Sequence, residues 1–370
     1  MNIGFDAKRY FHNHTGLGNY SRSLIAIFEK YLTNNHYFLY NLKKKKTFKI
    51  PSNSKNVSEI NPTKFWKIFK NLWRQIGIYY SVKNNKLDIF HGLSGELPWF
   101  LPKNVKKIVT IHDLIFVRYP KLYNFLDRKI YYYKFKFAAQ KADVVVAISE
   151  QTKADIVEFL KINPDKIKVI YQGCSSEFKQ IYSEIQKNNF KEKYQLPDKF
   201  LLNVGTIEAR KNLLNIVKSI QNTEIPLVVV GKKTKYFFEE VEPFIKKNKM
   251  ENQVIYLKNL SREDLAILYQ LATIFIYPSV FEGFGIPIIE AMYSKTLVIT
   301  TKNGVFPESA GPNSIFIDPN NADDIKNNIL DFWNNEQEIK NRVEKSFQFV
   351  QKFNDDVLAK QWEEIYEFIS

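Results

Sequence analysis

The stretch Tyr277-Pro278-Ser279-Val280-Phe281-Glu282-Gly283-Phe284-Gly285-Ile286-Pro287-Ile288-Ile289-Glu290-Ala291-Met292 decides how this chain is read. It leaves an apolar run, Ile274 to Ile276, that predicts a buried strand. Gly283-Phe284-Gly285 predicts a turn, and Pro287 stands where a helix should begin. Two carboxylates flank that turn. On one unbroken helix Glu282 and Glu290 would lie about 12 Å apart along the axis, at ~1.5 Å per residue. A chain reversal at the glycines lets both face one pocket instead. The helix start adds free backbone N–H groups and a partial positive charge, which suit an anion. Glycine lets the backbone approach that anion without a Cβ in the way. Carboxylates repel phosphate but accept hydrogen bonds from hydroxyls, as on a ribose or a transferred sugar. An anion site beside hydroxyl acceptors describes a nucleotide-sugar pocket; the alternative is two solvated glutamates beside an ordinary strand-to-helix turn.

Working outward, Phe200 to Gly205 predicts another strand, followed by the loop Thr206-Ile207-Glu208-Ala209-Arg210-Lys211-Asn212 and a helix carrying Leu213, Leu214, Ile216, Val217 and Ile220. Arg210 and Lys211 sit at that helix's N-terminus, where the macrodipole prefers anions. A diphosphate between them would remove the conflict, and such local inconsistencies mark sites. Towards the N-terminus, strand Asn2 to Asp6 leads to a polar loop containing Thr15-Gly16-Leu17-Gly18-Asn19-Tyr20, part of a dinucleotide fingerprint without its third glycine, and then to a helix through Ile25 to Glu29. Asp88 to Gly92 and Val109 to Leu114 read as short strands ending in polar residues, with His91 and His112 at their exits. Ligands of open α/β sheets bind beyond such strand ends. The same βαβ rhythm fills both halves. A polar stretch from Gly173 to Asp198 reads as a linker, and Asp355 to Ile369 is amphipathic through Val357, Leu358, Trp362, Ile365, Tyr366 and Phe368.

Glu282 and Glu290, seven residues between them and Gly-Phe-Gly-Ile-Pro inside, resemble the E-x7-E motif of the retaining glycosyltransferases of family 4. The resemblance runs over nearly the whole chain, because Thr-Gly-Leu-Gly-Asn-Tyr, Thr-Ile-His-Asp-Leu and Gly-Thr-Ile-Glu-Ala-Arg-Lys-Asn occur in the family's order. It implies an α/β fold of the GT-B class, two Rossmann-like domains facing each other across a cleft. Residues 1–175 would form an acceptor-binding domain on which the helix 354–370 packs back, and 190–350 the nucleotide-sugar domain. By resemblance, Arg210 and Lys211 neutralise the leaving diphosphate, Glu282 accepts from the sugar, and Glu290 holds the ribose. Gly283, Phe284, Gly285 and Ile286 complete the donor site, Gly16 and Gly18 border it, and His112 with Asp113 lies near the reacting sugar and acceptor. Many members carry Arg directly after the glycine where this chain has Thr206. The motif set is most similar to the bacterial mannosyltransferase-like branch, which builds O-antigen and capsular polysaccharides. That implies GDP-mannose as donor and a glycan on an undecaprenyl-diphosphate carrier as acceptor, with a UDP-hexose or a nucleotide-sugar epimerase activity as alternatives.

Composition bounds the rest. The length of 370 residues suits two α/β domains. A single cysteine, Cys174, excludes an intramolecular disulfide and a cysteine-built metal site, as expected in a reducing cytosol. No Asp-x-Asp occurs, so no metal is expected on the diphosphate and no cofactor beyond the donor substrate. The chain begins directly on a strand, so no signal peptide is expected, and since no uninterrupted apolar stretch approaches the ~20 residues of a membrane span, none is expected either. Residues 1–168 hold 30 Lys and Arg against 12 Asp and Glu, and the excess is interleaved with aromatics. Lys43 to Lys46 run together; Lys64, Phe65, Trp66, Lys67, Phe69, Lys70, Trp73 and Arg74 follow, then Arg128 to Phe137 with Tyr131, Tyr132, Tyr133, Lys134 and Lys136. This pattern suits peripheral attachment to an anionic inner leaflet of the cytoplasmic membrane. Its competitors are a solvated lysine-rich face and, last, a nucleic-acid-binding protein, so no nucleic-acid partner is expected.

Overall fold

The computed structural model describes residues 1–43, 47–63, 66, 68–69 and 72–370. Lys44, Lys45, Lys46, Lys64, Phe65, Lys67 and Lys70 of the basic, aromatic stretch lie outside the described residues. The chain divides into two compact units: Met1–Gly173 with Phe353–Ser370, and Cys174–Lys352.

In the first unit, the described residues form strands β1 (Asn2–Asp6), β2 (His36–Tyr40), β3 (Val57–Ile60), β4 (Ile89–Gly92), β5 (Lys106–Ile111), β6 (Val144–Ala147) and β7 (Ile167–Val169). They pair in the order β3-β2-β1-β4-β5-β6-β7, all parallel. β4 and β6 are buried along their whole length, and β6, Val-Val-Val-Ala, accordingly reads as an unbroken apolar run rather than an alternating one. The direction of strand succession reverses between β1 and β4, so the loops leaving those strands open at the switch point where such sheets bind ligands. The C-terminal helix, Asp355–Ile369, belongs to this unit and buries Leu358, Ala359, Trp362, Ile365, Tyr366 and Ile369 in its core. Val357 and Phe368, expected on that face, are instead exposed.

The second unit holds β8 (Leu201–Val204), β9 (Leu227–Val230), β10 (Val254–Leu257), β11 (Ile274–Tyr277), β12 (Leu297–Thr301) and β13 (Ile315–Ile317). Their order is β10-β9-β8-β11-β12-β13, again parallel throughout. Here the reversal falls between β8 and β11, the strands that feed the basic loop and the glutamate turn. Two doubly wound parallel sheets in one chain define an α/β protein of the GT-B class.

Two expectations are corrected. The stretch read as a linker contains the helix Glu184–Tyr194, started by a reciprocal capping box between Ser183 and Gln186 and anchored by buried Phe190. The Gly16 to Tyr20 segment is not a loop before a helix but its first turns, because the helix spans Gly16–Tyr31.

Candidate functional site

β8 and β11 end side by side, and the loops that leave them are tied together. The Val280 N–H donates to the Arg210 carbonyl at 2.8 Å, and the Ser279 hydroxyl oxygen lies 3.3 Å from the same carbonyl oxygen. Arg210 and Lys211 lie on a short turn, Ala209–Lys211, closed by Asn212 with φ of 62°. The helix Ile286–Tyr293 begins after Gly285, whose φ of 103° and ψ of 51° favour glycine. A Cβ there would stand 3.2 Å from the Ile288 side chain. Phe284 is buried beneath the turn, and Ile286 and Pro287 open the helix.

The sequence reading gave the cations a bound diphosphate as counter-charge; the structure supplies it from within the protein. Glu282 Oε1 accepts from Arg210 at 2.8 Å, from Lys211, from the Tyr277 hydroxyl at 3.0 Å and from the Ser279 hydroxyl at 2.7 Å. Glu208 adds a second carboxylate 3.2 Å from the Arg210 guanidinium. Burial works against ionisation of Glu282, but Lys211 and Arg210 together outweigh it and hold the carboxyl below its ordinary range. Burial likewise pushes the Lys211 ammonium down, opposed by Glu282. Glu282 is therefore first a carboxylate that fixes two cations, and its hydroxyl-accepting role has to be exercised from that position.

Glu290 has a different environment. It accepts a hydrogen bond from the Tyr269 hydroxyl at 3.2 Å, and burial pushes its carboxyl up to about 7 despite that bond and the nearby Arg262. Both glutamates act on Tyr277: burial raises its phenol most, Glu282 next, and Glu290 adds to it. The structure thus gathers Arg210, Lys211, Glu282, Gly283, Phe284, Gly285, Ile286 and Glu290 within one unit at its switch point. Sequence reasoning missed Tyr277, Ser279 and Tyr269. The first two stand inside the quoted stretch; the third, on another helix, leaves no local signal. Among the described residues, no cluster of three or more His, Cys, Asp or Glu is arranged to hold a metal ion.

In the first unit, Leu17, His112 and Asp113 line one cavity of about 210 Å³ together with Arg9, Tyr131 and Phe135. Gly18 is required by packing, since a Cβ would stand 2.0 Å from the Asn13 carbonyl oxygen, whereas Gly16 meets nothing within 4 Å. His112 Nε2 lies 2.9 Å from the Leu93 carbonyl oxygen, which can only accept, so this nitrogen carries the proton. Its Nδ1 then accepts from the Gln172 amide at 3.0 Å. Burial draws the imidazole down to about 4, against the Leu93 bond. Both ring nitrogens are engaged inside the unit and the ring is neutral at pH 7, so its one N–H is committed to Leu93. His91, expected at a strand exit, is a core residue bonded to Thr110 at 2.8 Å and Tyr366 at 3.2 Å. Arg9 and Gln172 were not anticipated.

Comparison with known proteins agrees with this fold. Residues 184–348 match the family described as "Glycosyl transferases group 1", and residues 38–178 match "Glycosyltransferase Family 4". The two matches together span most of the chain, which resembles the glycosyltransferases of family 4 and is similar to bacterial O-antigen mannosyltransferases. It is 29% identical to O-antigen chain mannosyltransferase B of Escherichia coli over 259 residues, 68% of this chain and 66% of that protein. It is 25% identical to O-antigen chain mannosyltransferase RfbU of Salmonella typhimurium over 322 residues, 86% of this chain and 82% of that one. Of the serotype-specific mannosyltransferase WbdA of Escherichia coli, also 29% identical, the match spans only 29%. Among solved structures, a glycosyltransferase from Rickettsia africae superposes with a TM-score of 0.77 at 22% identity, over 100% of this chain and 98% of that one.

Proposed function

We propose that this chain is a retaining, metal-independent hexosyltransferase. It moves mannose from GDP-mannose onto a lipid-linked glycan during O-antigen or capsular polysaccharide synthesis, at the inner face of the cytoplasmic membrane. The observation that carries the reading is the joining of Arg210, Lys211 and Glu282 beside the Gly285 helix start, with Glu290 one helical turn further in. The curated mannosyltransferase relatives support the choice of sugar.

In this reading the donor's diphosphate meets Arg210, Lys211 and the first N–H groups after Gly285. These donors stabilise the negative charge that grows on the leaving group, often the largest contribution to such catalysis. They are already oriented by Glu282, so little reorganisation accompanies the reaction. The bond between the sugar's anomeric carbon and the phosphate oxygen breaks, and a bond from that carbon to the acceptor oxygen forms on the same face. The acceptor's proton passes to the departing phosphate oxygen, which accounts for retention without a protein base. Glu290 accepts from the ribose hydroxyls. His112, with both nitrogens committed, contributes a fixed ring surface to its cavity rather than a proton.

The experiment is a panel of nucleotide sugars, GDP-mannose and UDP-glucose among them, each incubated with the purified chain while slow hydrolysis is followed. GDP-mannose should be turned over fastest. Turnover of none, or turnover that a chelator abolishes and Mn²⁺ restores, contradicts the reading.

A further inference from the structure

Tyr269 is fully buried in the second unit, yet its hydroxyl ends on a site residue. It lies on the helix Arg262–Leu271, which Ser261 and Asp264 start with a reciprocal capping box. Phe178 meets the ring edge-on at 5.7 Å and Phe275 lies tilted against it at 5.2 Å. Its backbone carbonyl accepts from the Thr296 hydroxyl at 2.6 Å. A phenol so enclosed needs a partner for its hydroxyl, or its burial costs free energy. That partner is Glu290 Oε2, at 3.2 Å.

The two site glutamates are held alike. The donors that reach the Glu282 carboxylate all end on Oε1, the Tyr277 hydroxyl among them. The one that reaches the Glu290 carboxylate ends on Oε2. Among the described residues no hydrogen bond goes to Glu282 Oε2 or Glu290 Oε1, and neither glutamate is fully enclosed. Each therefore has one oxygen fixed by a buried tyrosine and one left for a ligand. Phe275 touches both tyrosines, 5.2 Å from the Tyr269 ring and stacked 5.7 Å from the Tyr277 ring, so one aromatic column supports both anchors. The torsion that turns a glutamate's carboxylate is broad and roughly two-fold. Without an anchor the remaining oxygen has no fixed direction.

We propose that Tyr269 is a positioning residue for donor binding: its hydroxyl pins Glu290 Oε2 so that Oε1 faces the ribose hydroxyls. The role rests on the transferase reading for the ligand, and on the hydrogen bond and the locked ring for the anchor. Tyr269 also favours the form of Glu290 that can accept, because hydrogen bonds to a charged oxygen are about twice as strong as neutral ones. Burial, and then Glu290, keep the phenol well above its ordinary range, so it stays a donor. Burial is the largest influence against ionisation of Glu290, and the Tyr269 bond is the first to oppose it. The other elements packed on the helix Ile286–Tyr293 add smaller influences. Arg262, on the Tyr269 helix, favours the carboxylate, and Glu177, on the turn Ser176–Lys179, disfavours it. β11 presents Tyr277, raised by burial and by both glutamates. Among these groups Tyr269 alone hydrogen-bonds Glu290.

The test is equilibrium titration of the full chain with GDP-mannose and with UDP-glucose between about pH 6 and 9, for the wild type, Tyr269→Phe, Glu290→Gln and the double variant. At pH 7 Tyr269→Phe should bind the better donor about tenfold more weakly, the scale of one hydrogen bond to a charged group. Its affinity should go on rising beyond the pH at which the wild type levels off, whereas a merely structural loss would be the same at every pH. In the Glu290→Gln background the same change should cost less than about twofold, because Tyr269 acts through the carboxylate. An affinity and pH profile like the wild type's, a loss independent of pH, or an equal loss in the Glu290→Gln background would overturn the proposal. A wild type that binds neither nucleotide sugar would overturn the transferase reading instead. Carboxyl-carbon NMR of Glu290 in the ligand-free chain then decides for the anchor: its titration midpoint should rise in Tyr269→Phe, and an unmoved midpoint overturns the proposal.

Discussion

Glu282 and Glu290 stand eight positions apart and are pushed in opposite directions, the first down by Lys211 and Arg210 against burial, the second up to about 7 by burial. Their substitutions therefore differ. Lys211→Ala, Glu282→Ala and Glu290→Ala should each lower transfer at least ~10-fold, the scale of one lost interaction of about 1.4 kcal/mol. In steady-state kinetics Glu282→Ala should reduce kcat most, since it also releases both cations. Glu290 sets a pH dependence. Between its ordinary range and about 7 the folded chain keeps a proton there that the unfolded chain has lost, so its contribution to stability is lost as pH rises through 7. A ribose hydroxyl needs the ionised carboxylate. Donor affinity should accordingly rise with pH up to about 7, by as much as about tenfold per unit, and level off above it. In Glu290→Gln that slope should disappear, which binding titrations at several pH values would read out. Arg210 and Lys211 were legible in the sequence because they follow a strand with a charge that their helix start does not explain, and Glu282 and Glu290 because they bracket a glycine turn between strand and helix. Tyr269 and Gln172 were not, because the contacts that give them meaning join positions 21 and 60 residues apart.

At the scale of elements, the site hangs on the helix Ile286–Tyr293 and the turn before it. Gly285→Ala forces a Cβ into a backbone conformation of positive φ, 3.2 Å from Ile288 and 3.4 Å from the Ser309 hydroxyl. It should cost about 2 kcal/mol in denaturant unfolding and weaken donor binding, while Gly16→Ala, which meets nothing, should do neither. Strands such as Ile274–Tyr277 were easy to read, since parallel pairing buries both faces and leaves unbroken apolar runs; β2 and β3 were not read, and β3, Val57–Ile60, carries Ser58 and Glu59 and buries no residue fully. The helix Glu184–Tyr194 was missed for the converse reason. Only Phe190 is buried, so there is almost no apolar period, and the readable signal was the Ser183…Gln186 pair.

For the whole molecule, the chain's return to its first unit is structural as well as topological. Trp362 and Tyr366 are buried against Phe28 and His91, with the Trp362 and His91 rings 4.8 Å apart. Trp362→Ala should destabilise that unit by about 3–5 kcal/mol in equilibrium unfolding. Burial holds His91 near 3 and His112 near 4, well under the ordinary histidine value. Between pH 6.5 and those values the unfolded chain binds more protons at these two rings, so their contribution to stability is full above about 6.5 and falls as pH drops towards 4. The thermal midpoint should follow, and His91→Asn should flatten the fall. The central claim is that one unit of this molecule holds an activated sugar by its diphosphate and its hydroxyls. Equilibrium binding of the nucleotide-sugar panel to the wild type and to Lys211→Ala tests it most directly. The account predicts that the best-bound donor, GDP-mannose, loses at least about tenfold in affinity in the variant. A panel in which nothing binds, or a best donor held equally well without the Lys211 ammonium, would contradict it.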